Sequence, residues 1–247
     1  MSRNFELLQQ AEKEAQVFRI SGSVPAPAKD DKRPSRKLES AAREEEIKLV
    51  QRLFLLPGER APRSVLVCGV EEGEGSEAIS ASASEILASR VPGSVCLVDA
   101  NVRVPSLHLR FRMDNFLGFT DAMFEADPIG AFAQRVPGSN LWLLPCGSRR
   151  DDLEALLSSE RLRSRMKELV EEFDHVLINA PPAKLYAHAA LLGKLVDGVV
   201  LVLKSSSTHR EAARKVKEDF EAAGVRLMGA VLNERTFPIP ESLYRKL

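Results

Sequence analysis

From Ser64 onward, short apolar runs rich in β-branched residues alternate with longer stretches of helical periodicity. The strand candidates are residues 65–69, 95–99, 141–144, 175–179, 198–203 and 227–232. The helical stretches are 77–90, 160–173, 187–195 and 208–223. A strand that is apolar along its whole length needs burial on both faces, and intervening helices supply that cover through parallel crossovers. The expected fold class is therefore α/β, a doubly wound, mostly parallel sheet flanked by helices. Ligands of such sheets bind beyond the C-terminal ends of the strands.

Ahead of this domain, residues 1–20 place Phe5, Leu8, Ala11, Ala15 and Phe18 near helical spacing, which predicts an amphipathic helix. Pro25, Pro27 and Pro34 then mark residues 21–37 as a linker. A second helix is expected over 38–56, with Ile47, Val50, Leu53 and Phe54 as its apolar side and Pro57-Gly58 as its stop. The division is 1–20, 21–37 and one domain over 38–247.

Charge narrows the function. Lys+Arg and Asp+Glu both number 35, so the 247-residue chain is formally neutral and lacks the basic excess of a general nucleic-acid binder. The longest apolar runs are strand-sized, no signal-peptide core opens the chain, and a cytoplasmic location is expected. Cys68, Cys96 and Cys146 show no metal-ligand spacing and read as buried thiols. Trp142 reads as core, and His108 and His175 as structural.

The first strand runs into Val70-Glu71-Glu72-Gly73-Glu74-Gly75-Ser76-Glu77, and a helix follows. Strand, glycine loop and helix is the layout of a phosphate-binding loop, whose backbone N–H groups and helix N-terminus attract anions. That chemistry also needs a Lys for the β/γ oxygens and a Ser/Thr hydroxyl for Mg²⁺. Ser76 and Glu77 stand at those places. Glu71, Glu72, Glu74 and Glu77 add repulsion, since two unit charges about 4 Å apart interact by roughly 4 kcal/mol at an effective dielectric near 20. Glu77 also satisfies the helix dipole internally.

Further segments follow in order: Leu97-Val98-Asp99-Ala100-Asn101-Val102-Arg103-Val104-Pro105, then Val176-Leu177-Ile178-Asn179-Ala180-Pro181-Pro182, then Gly229-Ala230-Val231-Leu232-Asn233. With Gly118-Phe119-Thr120-Asp121 and Leu144-Pro145-Cys146-Gly147 between them, this set resembles the cytoplasmic bacterial tyrosine kinases of capsule and exopolysaccharide synthesis. Those kinases belong to the MinD/ParA-like P-loop ATPases. The resemblance implies that Gly73, Glu74 and Gly75 match the Walker A loop while Ser76 and Glu77 depart from it. It implies that Asp99, Arg103 and Pro105 match the second motif, with Asn101 in place of its second Asp. Asn179 replaces the Asp of the Walker B strand, His188 replaces a further Asp, and Asn233 keeps the base-contacting Asn.

These departures remove charge from a site that works by charge neutralisation, because Mg²⁺ prefers anionic or hydroxyl oxygens and amides are neutral. The expectation is a catalytically impaired homologue with vestigial Gly73, Gly75, Ser76, Glu77, Asp99, Asn101, Arg103, Asn179 and Asn233, and with no cofactor or metal. Its partner would be a membrane-bound polysaccharide chain-length regulator or an active kinase paralogue, which would hold it at the inner face of the plasma membrane. Two alternatives stand beside it. One is an active ATP- and Mg-dependent kinase in which Lys184 or Lys204 serves the phosphates. The other is a MinD/ParA-like spatial organiser. Tyr244 is the candidate phosphosite, and Glu45, Lys48 and Gln51 occupy the places of a ring-assembly motif that would make a homo-oligomer.

Overall fold

The computed structural model describes residues 16–19, 36–55, 61–148 and 160–234. In chain order its elements are β1 (Gln16–Arg19), α1 (Arg36–Val50), β2 (Ser64–Gly69), α2 (Ser76–Ala88), β3 (Val95–Asp99), α3 (Leu107–Phe111) and α4 (Phe119–Ala122). There follow β4 (Gln134–Arg135), β5 (Leu141–Leu144), α5 (Glu160–Glu172), β6 (His175–Ala180), α6 (His188–Gly193), β7 (Gly198–Lys204), α7 (Arg210–Ala222) and β8 (Leu227–Asn233). They form one eight-stranded sheet in the order β1-β8-β7-β2-β6-β3-β5-β4. Every pairing is parallel except β4 with β5.

The alternation of side chains along a strand explains why the sheet is covered twice. In β2, Val65 and Val67 join one apolar cluster while Leu66 and Cys68 join the other. The first cluster holds Leu49, Val50, Leu53 and Phe54 from the α1 region with Ile79, Ile86 and Leu87 of α2. The second holds Phe119, Leu162, Met166, Leu169, Leu192, Val216 and Phe220 from α4, α5, α6 and α7. Helix α7 buries only Val216 and Phe220, spaced i,i+4, and its solvent side carries the i,i+4 pairs Arg214–Glu218 and Lys215–Asp219. Serines enter the core of α2 because Ser80 and Ser84 donate their hydroxyls to the carbonyls of Ser76 and Ser80, both at 2.7 Å.

Several expectations need correction. Residues 16–19 are a strand pairing in parallel with β8, not the end of an amphipathic helix; residues 1–15 lie outside the described residues. Residue 20 and linker residues 21–35 also lie outside, and linker residues 36–37 belong to α1. Helix α1 gives way at Gln51–Leu55 to a π-helical turn, in which Leu53 and Phe54 remain buried. Pro57-Gly58, the expected stop, is not described. All three cysteines are free and buried, as expected. Trp142 is half-buried against the core, 6.0 Å from the Phe173 ring. Among the described residues, no helix is long and apolar enough to cross a membrane.

Strand order brings the chemistry together. Because β2, β6 and β3 are neighbours, the loops leaving their C-terminal ends (70–75, 181–187 and 100–106) emerge side by side.

Candidate functional site

Above those ends lies a cleft of about 310 Å³. Glu72, Gly73, Ser76 and Glu77 form its loop side, and Asn101, Arg103, Val104, Pro182 and Tyr186 stand opposite. The described residues leave it open, and a Cβ added at Gly73 would meet nothing within 4 Å. The structure thus gathers Gly73, Ser76, Glu77, Asn101 and Arg103, five residues singled out from sequence, around one cavity.

The loop turns through left-handed Gly73 (φ 73°) and Gly75 (φ 81°), a conformation that L side chains resist. At Gly75 the space is closed as well, since an added Cβ would sit 2.5 Å from Asn233 Nδ2. Glu74, between them, is only 3 % exposed. Its Oε2 accepts the N–H groups of Val70 (2.5 Å) and Glu71 (3.0 Å), and its Oε1 accepts the hydroxyl of Thr208. Asn233 donates its amide to the Glu74 carbonyl at 3.0 Å.

The picture of four mutually repelling carboxylates is therefore corrected. Glu74 is satisfied internally, and Glu71 pairs with Lys184, whose ammonium holds the carboxyl below the usual range. Glu72 and Glu77 remain facing the cleft, with Glu77 in the first turn of α2. The two lysines considered as substitutes for the loop cation are each paired with a carboxylate, Lys184 with one that lines the cleft. Lys184 is on Glu71, and Lys204 lies 2.7 Å from Glu234.

Beneath the opposite wall, Asp99 is fully buried. Its Oδ2 accepts the N–H groups of Ser106 and Leu107, both at 3.0 Å, and its Oδ1 accepts those of Asn101 (3.2 Å) and the Asn179 amide (3.3 Å). Burial pushes the Asp99 carboxyl up, against the pull of these donors. Four donors on two oxygens leave the carboxylate committed to holding the 100–107 turn. Asn179 is likewise fully buried, and its Oδ1 has no hydrogen-bond partner. Asn101 lies nearer the opening, its Oδ1 accepting the Val104 N–H at 3.3 Å.

The Arg103 guanidinium lies 4.9 Å above the Tyr186 ring, which in turn stacks on His188 at 5.9 Å with an 18° interplanar angle. His188, at a position where the resemblance implies a carboxylate, thus supports an aromatic lip. Tyr186 and the inward turn of Glu74 carried no signal in the sequence: a single aromatic and one glutamate among four look unexceptional. Tyr244 lies outside the described residues. At the ring-motif positions, Glu45 and Lys48 pair with one another at 2.7 Å.

No protein-family model matches the chain. The tyrosine-protein kinase YwqD of Bacillus subtilis is 30% identical over 175 residues, which cover 71% of this chain and 73% of that protein. Among solved structures, the kinase domain of the Escherichia coli tyrosine kinase ETK superposes with a TM-score of 0.79 at 20% identity, covering 94% of this chain and 96% of that one. A plasmid partition protein from Borrelia burgdorferi matches with a TM-score of 0.56 at 16% identity, over 75% of this chain and 87% of that one.

Proposed function

The chain belongs to the bacterial tyrosine-protein kinases, on the P-loop NTPase fold that these share with MinD/ParA-like ATPases, and on that footing we propose that it is a member whose own phosphoryl-transfer chemistry is impaired. Its role would be that of a regulatory or scaffold subunit in exopolysaccharide synthesis. The observation that carries this reading is the charge of the cleft's loop side, where among its described lining residues no Lys or Arg stands with Gly73, Ser76 and Glu77, and the lining cation, Arg103, is on the opposite wall. Ser76 and Glu77 occupy the loop positions that need Lys and a hydroxyl, while Lys184 and Lys204 are neutralised by Glu71 and Glu234. Phosphoryl transfer depends on positioning and charge neutralisation, and a carboxylate in place of a Mg²⁺-binding hydroxyl reverses the local sign.

The donor set does not fit Mg-ATP. Asp99 is committed to four N–H donors, and Asn101 and Asn179 offer neutral amides in place of the carboxylates that resemblance implies. No reaction step is therefore assigned to the cleft. The partner in this reading is a membrane-bound chain-length regulator or an active kinase paralogue, through which the chain would reach the inner face of the membrane.

One observation favours the alternative of an active, ATP-binding kinase: the cleft over Gly73 is open, not filled by side chains of the described residues. Isothermal titration of the full chain with millimolar Mg-ATP separates the two. The expected result is no heat of specific binding. Micromolar affinity would overturn the proposal, and autophosphorylation at Tyr244 in the purified chain would favour the active kinase.

A further inference from the structure

A backbone loop that turns successive N–H groups toward one point needs an anion there, and in a phosphate loop the ligand commonly supplies it. In this chain the two N–H groups that follow β2, those of Val70 and Glu71, converge on a single oxygen of Glu74 at 2.5 and 3.0 Å, the Val70 N–H being shared with the Val202 carbonyl at 3.3 Å. The second oxygen takes the Thr208 hydroxyl. Thr208 Oγ1 in turn accepts the Lys204 N–H at 2.7 Å, which ties this carboxylate to the end of β7. A second tie runs to β8 through the Asn233 amide on the Glu74 carbonyl, beneath a Gly75 too close to Asn233 to carry a side chain. Two non-glycine residues with positive φ, Ser206 (63°) and Glu234 (52°), lie in these same connections, beside Thr208 and Asn233. Such residues persist only where the surroundings fix them.

We propose that Glu74 is the positioning residue of this loop: a built-in anion that orders residues 70–77 without any ligand and joins them to the C-terminal ends of β7 and β8 as one unit. The loop's shape is then set from within the chain. A displacement at Thr208 or Asn233 reaches the Gly73–Glu77 side of the cleft through two hydrogen-bonded links, each with a named donor. The proposal is independent of whether the cleft takes a nucleotide.

Hydrogen–deuterium exchange on the full chain without nucleotide tests it, comparing the unmodified protein with Glu74→Ala and Thr208→Ala. The unmodified protein is expected to protect the amides of Val70 and Glu71. Glu74→Ala should speed exchange at Glu71 by about fivefold or more, the loss of one hydrogen bond of ordinary net strength, and at Val70 by less, because that N–H keeps the Val202 carbonyl. Thr208→Ala should also speed it, although Thr208 touches neither amide. If Glu74→Ala does not fold, Glu74→Gln, which keeps an accepting oxygen, takes its place with a smaller expected rise. Exchange at Glu71 within about twofold of the unmodified protein in either the Glu74 variant or Thr208→Ala overturns the proposal, as does full exposure of that amide before any substitution.

Discussion

Replacing Asn179 with Asp puts a second carboxylate against Asp99 where the sheet is fully buried. Asn179 Nδ2 now donates to Asp99 Oδ1 at 3.3 Å, and both residues have no exposed surface. The substitution turns that donor into an acceptor and adds a like charge at contact. At about 4 Å and an effective dielectric near 20 the repulsion is roughly 4 kcal/mol. Loss of the hydrogen bond adds about 1 kcal/mol. Against a domain stability of about 5–15 kcal/mol, Asn179→Asp should remove a third or more.

The effect has a pH signature. Burial already holds the Asp99 carboxyl above its ordinary range, and a second carboxylate pushes the pair further up. The folded state then binds a proton that the unfolded chain does not, so stability falls as pH rises through the raised value. It is recovered toward the unfolded range, near 3.9 or about that for a free Asp. Urea denaturation at several pH values measures it, and the exchanged pair Asp99→Asn with Asn179→Asp, which restores a single carboxylate, should recover most of the loss. A destabilisation under about 1 kcal/mol at pH 7, or one independent of pH, would refute the buried-pair argument.

Other substitutions report on the remaining parts of the site. Ser76→Lys, Glu77→Thr and Asn179→Asp together should create Mg-ATP binding, read as a nucleotide-dependent rise in melting temperature that none of the three gives alone. A folded triple variant that ignores ATP would mean that the loop geometry itself excludes it. Gly75→Ala should destabilise the chain by about 1–3 kcal/mol, because it forces both a left-handed φ and a clash with Asn233; urea midpoints check this. Burial holds His175 below the ordinary histidine range, where it makes an edge contact with Phe54 at 5.8 Å. A depressed histidine contributes stability that is present above its unfolded value and lost as pH falls below about 6.5. His175→Gln should therefore flatten stability between pH 7 and pH 5, whatever it costs at pH 7; an unchanged slope would contradict the assignment.

The six central strands were legible as short apolar runs, and β2 and β3 are buried along their whole length because helices cover both faces of the sheet. Strand β1 was not. Phe18 falls on a helical spacing with Phe5, Leu8 and Ala15, and what makes 16–19 a strand is the free edge of β8, a tertiary fact. Strand β4 has two residues and leaves no periodicity to read. In the site, loop position and residue identity were legible, so Gly73, Ser76, Glu77, Asn101 and Arg103 meet at one cleft as the motif order implied. The direction of each side chain was not. Charge counting treats Glu71, Glu72, Glu74 and Glu77 alike, whereas the partners of two of them, Lys184 and Thr208, are more than a hundred residues away in sequence.

The four-residue strand at the sheet's margin has a practical consequence. A chain shortened to begin at Arg36 would strip the cover from Gly229–Leu232 and leave a row of backbone donors and acceptors facing water along an apolar stretch. Such a rim recruits whatever extended peptide it meets, so the trimmed protein should clump at concentrations where the intact one stays dispersed.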